Sequence, residues 1–178
     1  MPKVSQAHLD ARRRQIIDAA RTQFATRGFA GTSMTDLVEA SGMSVGAIYR
    51  YFKGKDEIIA AICAESSQAL PAELTAASVA EFLERLRVLA RTQDHARLVA
   101  QIYAEAALSP RLAEVVQRQL DELRHAVAVL LPGRRTARTQ RIAEAFVALC
   151  QGYTQQLAVR GDLDPAPYTA ALLAIIDS

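Results

Sequence analysis

The sequence predicts an all-α protein of about nine helices in two parts, residues 1–55 and 71–178, joined by a fourth helix at about 56–70. Three observations predict it. Apolar residues recur at three- and four-residue spacing along almost the whole chain. Alternating β-branched runs that would make strands are missing. Gly, Pro, Ser, Thr and Asp punctuate the periodic stretches where helix caps and stops belong.

The first helix is expected from about Gln6 to Thr26, with Leu9, Arg13, Ile16, Ile17, Ala20 and Phe24 on one face. Gly28 stands where a helix ends in a left-handed residue. The second runs from about Ser33 to Ala40, capped by Thr32 or Ser33, with Asp36 in its first turn and Leu37 as its buried anchor. Ser41-Gly42 makes a turn, Ser44 caps a third helix of about seven residues, and Lys53-Gly54 breaks it. The fourth helix begins near Asp56 and stops before Pro71. After a linker at 71–77, five more are expected at about 78–92, 95–107, 110–131, 137–160 and 165–177. Ser109-Pro110 and Asp164-Pro165 each pair a capping residue with a proline at the first helical position. Pro132-Gly133 and Gly161 act as stops.

Composition narrows the function. Apolar residues make up 51% and charged residues 22% of 178, the balance of a soluble chain with a core to bury. No apolar run reaches membrane-spanning length and the N-terminus lacks a signal-peptide core, so a cytoplasmic address is expected. Cys63 and Cys150 are read as reduced thiols. Charge is uneven: residues 1–55 hold nine Lys/Arg against four Asp/Glu, the remainder twelve against fifteen. A basic head on a faintly acidic body points to a polyanion as the partner of the head alone. His8, His95 and His125 fall in separate elements without companions at metal-ligand spacing, and the common catalytic motifs are missing. No catalytic residue, metal site or cofactor is therefore expected.

The second and third helices with their Gly turn form a helix-turn-helix. The first turn of the third helix, Val45-Gly46-Ala47, is small enough to enter a groove about 12 Å wide. Ile48 and Phe52, four apart, face inward. Tyr49, Arg50 and Tyr51 are left outside with donors that suit phosphate oxygens. Lys55 opens the next helix, where backbone N–H groups already favour an anion. The Arg12-Arg13-Arg14 cluster is either a further backbone contact or a solvated face.

The run GFAGTSMTDLVEASGMSVGAIYRYFKGKDEI, Gly28 to Ile58, resembles the DNA-binding domain of the tetracycline-repressor (TetR) family of bacterial regulators. Phe24, Gly28, Thr32-Ser33, Leu37, Gly42, Ser44, Tyr49, Phe52 and Lys55 stand at that family's spacings. The resemblance implies a phosphate held by Thr32 and Ser33, base edges met by the turn Val45 to Ala47, and a backbone gripped by Tyr49, Tyr51 and Lys55. Tyr51 replaces a His common in the family. Because the base-facing turn has almost no hydrogen-bonding side chains, readout falls to methyl contacts, Arg50 and Thr35. It further implies a homodimer on a palindromic double-stranded DNA operator, most simply a repressor, released by a small apolar or aromatic effector. An activator of the same fold, and a helical scaffold that touches no DNA, remain alternatives.

In the body, the helix at 137–160 carries two adjacent apolar stripes and that at 165–177 is apolar nearly all round. A four-helix interface between two copies is expected there, with Val147, Gly152, Thr154, Tyr168, Leu172 and Ile175 facing the partner. The effector pocket is expected among Phe82, Leu86, Leu98, Ile102, Val116 and Leu120. Phe146 and Cys150 complete its walls, and His95 and Tyr103 supply polar groups.

Overall fold

Capping side chains set most of the helix starts. The computed structural model describes residues 5–68, 70–92, 95–132 and 136–177, and of 65–68 and 92 only the backbone. Among these residues the helices are α1 (Gln6–Arg27), α2 (Met34–Ser41), α3 (Val45–Tyr51), α4 (Lys55–Gln68), α5 (Ala76–Thr92), α6 (His95–Ala106), α7 (Pro110–Leu130), α8 (Ala137–Arg160) and α9 (Ala166–Asp177). Ser5, Ser33, Ser44, Ser109 and Thr136 each accept a hydrogen bond from a backbone N–H three residues on. Each such cap is worth about 1 kcal/mol. α5 begins two residues earlier than its periodicity predicts. Thr75 and Ser78 supply the reason: each backbone N–H donates to the other's hydroxyl, at 3.0 and 3.2 Å. The expected stop at Pro132-Gly133 lies partly outside the described residues, since Gly133 is not among them.

The chain divides into two compact units, Met1–Ile62 and Cys63–Ser178, and the division falls within α4. The first is built on Ile16, Ile17, Phe24, Leu37, Ile48 and Ile58, all at most 2% exposed. Gly42 adopts φ 64°, the left-handed residue that turns the chain from α2 into α3. Gln15 Nε2 donates to the Ser41 carbonyl at 2.7 Å and ties α1 to that turn. The Arg13 guanidinium lies 5.2 Å from the centre of the Phe52 ring, so this member of the arginine cluster covers core.

In the second unit α8 is the central element, packed against α5, α6, α7 and α9. Both of its apolar stripes are buried within the single chain: Ile142, Phe146 and Tyr153 on one, Ala143, Val147, Cys150 and Thr154 on the other. This corrects the expected partner face. Val147 and Thr154 are turned inward because α8 has neighbours around most of its circumference, and Leu172 of α9 is fully buried too. Tyr153, fully buried, donates from its hydroxyl to the Leu163 carbonyl at 3.1 Å and packs on Tyr168 with ring centres 4.7 Å apart. Arg87 of α5 clasps Asp162, in the turn after α8, through Nε at 2.6 Å and through its second nitrogen at 3.0 Å. No described helix is long and apolar enough to cross a membrane.

Candidate nucleic-acid interface and buried cavity

α3 is held from beneath and bare on top. Ile48 is fully buried and Phe52 nearly so, which fixes the rotation of a helix too short to stand alone. That rotation leaves Val45 58% and Tyr49 40% exposed, with Gly46 and Arg50 beside them in solvent. Ala47 and Tyr51 are half-buried. A side chain at Gly46 would meet nothing within 4 Å, so the end of the helix is open to whatever approaches. Ser44 accepts from the Ala47 N–H at 3.3 Å and Thr35 is exposed on the first turn of α2. Lys53, which the sequence reasoning did not assign to the site, donates from Nζ to the Tyr49 carbonyl at 3.0 Å. That bond places a cation beside the tyrosine and over the C-terminal carbonyls of α3, the favourable end for a positive charge.

Two expected phosphate ligands are placed otherwise. Thr32 is fully buried; its hydroxyl donates to the Gly28 carbonyl at 2.8 Å and its N–H to the Phe29 carbonyl at 3.3 Å, so neither polar group faces outward. Its role is to close the turn between α1 and α2. The ammonium of Lys55 donates to the Phe29 carbonyl at 2.7 Å and lies 4.3 Å from that ring's centre, so it is directed into the head. Ser33 is exposed, but its hydroxyl and N–H both bond Asp36 in a reciprocal cap. Those bonds, followed by the Arg27 guanidinium 3.1 Å away, hold the Asp36 carboxyl below its ordinary range.

A separate feature lies in the second unit. A narrow, partly enclosed cavity of about 80 Å³ opens between α5, α6, α7 and α8. Phe82, Leu86, Val99, Leu123 and Val147 form its apolar side. His95, Tyr103, Cys150, Gln151 and Thr154 form the other. Gln151 Nε2 donates to the Tyr103 hydroxyl at 2.5 Å, and Thr154 donates to the Cys150 carbonyl at 3.0 Å. Burial pushes the Tyr103 phenol up, and the Cys150 thiol up to about 12. Tyr103 and Cys150 are therefore both neutral near pH 7.

Five of the ten residues expected in the pocket line this cavity: Phe82, Leu86, His95, Tyr103 and Cys150. Leu98, Ile102, Val116 and Phe146 are buried elsewhere in the core, and Leu120 is half-buried against it. Val99, Gln151 and Thr154 were not expected there, nor was Val147. The readable signal was Thr154, a polar residue set into an apolar stripe of a central helix, with Gln151 beside it. A larger groove of about 630 Å³ beside α5 and Pro165 is more open to solvent. Among the described residues no cluster of His, Cys, Asp or Glu is fit to hold a metal ion.

Comparison with known proteins assigns both parts of the chain. Residues 16–62 match the profile of bacterial regulatory proteins of the tetR family, and residues 71–178 that of the C-terminal part of BetI-type transcriptional repressors. ArpR of Pseudomonas putida, described as a probable HTH-type transcriptional regulator, is 30% identical over 172 residues, which cover 93% of this chain and 76% of that one. The HTH-type transcriptional repressor Rv1474c of Mycobacterium tuberculosis is 46% identical over 72 residues, 40% of this chain. That match spans only 38% of the repressor's length. The solved structure of Salmonella enterica GusR superposes with a TM-score of 0.73 at 22% identity, covering 99% of this chain and 100% of that one, a likeness of fold.

Proposed function

Because the chain belongs to the tetracycline-repressor (TetR) family of bacterial regulatory proteins, we propose that it is a homodimeric repressor. It binds a palindromic operator through its heads and is released by a small apolar or aromatic effector seated between α5 and α8. One observation carries the DNA reading: Ser44, Ile48 and Phe52 lock α3 so that Val45, Gly46, Tyr49 and Arg50 share an exposed end in the basic part of the chain.

On this reading Val45 meets a thymine methyl, Arg50 takes a base edge or phosphate, and Tyr49 and Lys53 hold the backbone. Thr35 and Ser33 approach the same strand from α2. With so few base-reading groups, operator shape and phosphate contacts supply much of the affinity. Two heads about 34–36 Å apart would meet successive major grooves. The partner face is assigned to what the single chain leaves uncovered on α8: Ala148, Gly152, Gln155 and Val159 fall on one stripe at helical spacing. Val159 is 87% exposed, and a side chain at Gly152 would meet nothing within 4 Å. Tyr168 and Ile175 of α9 remain half-exposed beside them. Effector binding would lower the share of dimers whose heads fit the operator.

The test is fluorescence anisotropy of the full chain on an inverted repeat from upstream of its own gene, titrated with salt. Affinity at least about 10³-fold above that for random duplex at physiological salt is expected. Equal affinity for both sinks the regulator reading. Sedimentation velocity of the free protein tests the dimer.

A further inference from the structure

Resting on the reading of the chain as an effector-released regulator, we infer that the effector is an uncharged molecule no larger than a single ring, bearing one oxygen that accepts a hydrogen bond from Tyr103. Three features of the cavity carry this. The first is the direction of the hydrogen bonds. The Tyr103 hydroxyl accepts from Gln151 at 2.5 Å, and no bond from its own proton to a described residue is present. Tyr103 is half-buried, so its phenol proton is left for water or for a ligand oxygen that takes the place of water. Thr154 already donates to Cys150, so Tyr103 is the donor best placed to orient a ligand.

The second is charge. No Lys, Arg, Asp or Glu lines the cavity. Arg124, whose field reaches Tyr103, is paired with Asp121 at 2.5 Å and with Glu144 at 2.6 Å. An ionised ligand would lose its hydration with no Lys, Arg, Asp or Glu to pair with, and His95, the one basic side chain on the wall, is already engaged within the protein. That disfavours both carboxylates and ammonium compounds. The third is size. At about 80 Å³ the space is roughly half the ~150 Å³ that holds benzene in an apolar protein cavity. Even one ring has to widen the gap among the four helices. A larger or fused-ring ligand would have to unpack Phe82 and Val147 from the core cluster to which both belong.

Phenol and toluene have the same shape and differ by a hydroxyl against a methyl, so they test the oxygen alone. Benzoate and benzylammonium test the two charges. Each is titrated into the full-length protein by calorimetry, alongside release from operator DNA. Phenol is expected to bind roughly five- to tenfold more tightly than toluene, the yield of one net hydrogen bond. Benzoate and benzylammonium should bind more weakly than either. In Tyr103→Phe that preference disappears while toluene binds as before. Gln151→Met keeps the phenol proton and should retain the preference, which guards against a variant that fails to fold. Toluene equal to phenol, tighter binding of a charged probe, or a preference that survives in Tyr103→Phe overturns the inference and leaves the effector cavity standing. Failure of every probe to bind removes both.

Discussion

Lys55 offers the sharpest test of the head. Its ammonium makes a charge-assisted hydrogen bond of 2.7 Å to the Phe29 carbonyl and a cation–π contact of 4.3 Å to the same residue's ring. Such a bond contributes about 1.5–3 kcal/mol and such a contact about 0.5–1 kcal/mol at a partly exposed site. Lys55 is half-buried, so solvent screening brings the sum down to roughly 2 kcal/mol. Lys55→Met keeps the aliphatic stem and removes the charge. Native-state hydrogen exchange, read by mass spectrometry on peptides from α1 to α3, should then speed up by about 30-fold, the equivalent of that 2 kcal/mol. Operator affinity should fall, but the slope of log affinity against log salt should stay where it was. A phosphate contact would instead lower the slope by about 0.9 for each lysine. Unchanged exchange together with a lower slope would refute the internal role and restore Lys55 as a phosphate ligand.

Other changes have equally definite signatures. The two hydrogen bonds from Arg87 pull the Asp162 carboxyl down to about 2. A depressed carboxylate stabilises the fold above the ordinary value near 4 and loses that contribution as pH falls toward 2. Melting temperatures of the native protein and Asp162→Asn should therefore differ at pH 6 and converge as the pH drops through that window; parallel curves would dissociate Asp162 from acid stability. Leu172→Ala removes a fully buried side chain from α9 and should cost about 2–5 kcal/mol in urea unfolding. A loss under 1 kcal/mol would mean that α9 packs loosely in solution. At pH 8 a thiol reagent should modify half-buried Cys63 before Cys150, whose thiol stays protonated to about 12. Cys150 should react only under denaturant, and early labelling would contradict its burial.

The helices were legible because the forces that start and stop them are local. Ser33 with Asp36, Ser44 with the Ala47 N–H, and Ser109 with Pro110 each act within three residues. The exposed end of α3 was legible for a similar reason: Ile48 and Phe52, four apart, commit one side of a short helix and so declare the other. Thr32 and Lys55 were misplaced because a polar side chain in a sequence does not say whether its partner is solvent, a ligand or a carbonyl of its own fold. The Phe29 carbonyl that holds Lys55 lies 26 residues away. On α8 the two stripes marked a helix buried on more than one side, which admits a partner subunit or neighbours within the chain equally well. The neighbours took it, and Val147, Thr154 and Leu172 went into the core.

The sequence by itself determined the order and approximate limits of the described helices, the basic head and the inward anchors of α3, since periodicity, caps and local charge need no distant partner. Tertiary structure alone decided which polar groups face outward and where the cavity opens. A cavity is the volume that α5, α6, α7 and α8 fail to fill once packed, and no spacing along one helix records what the other three leave empty.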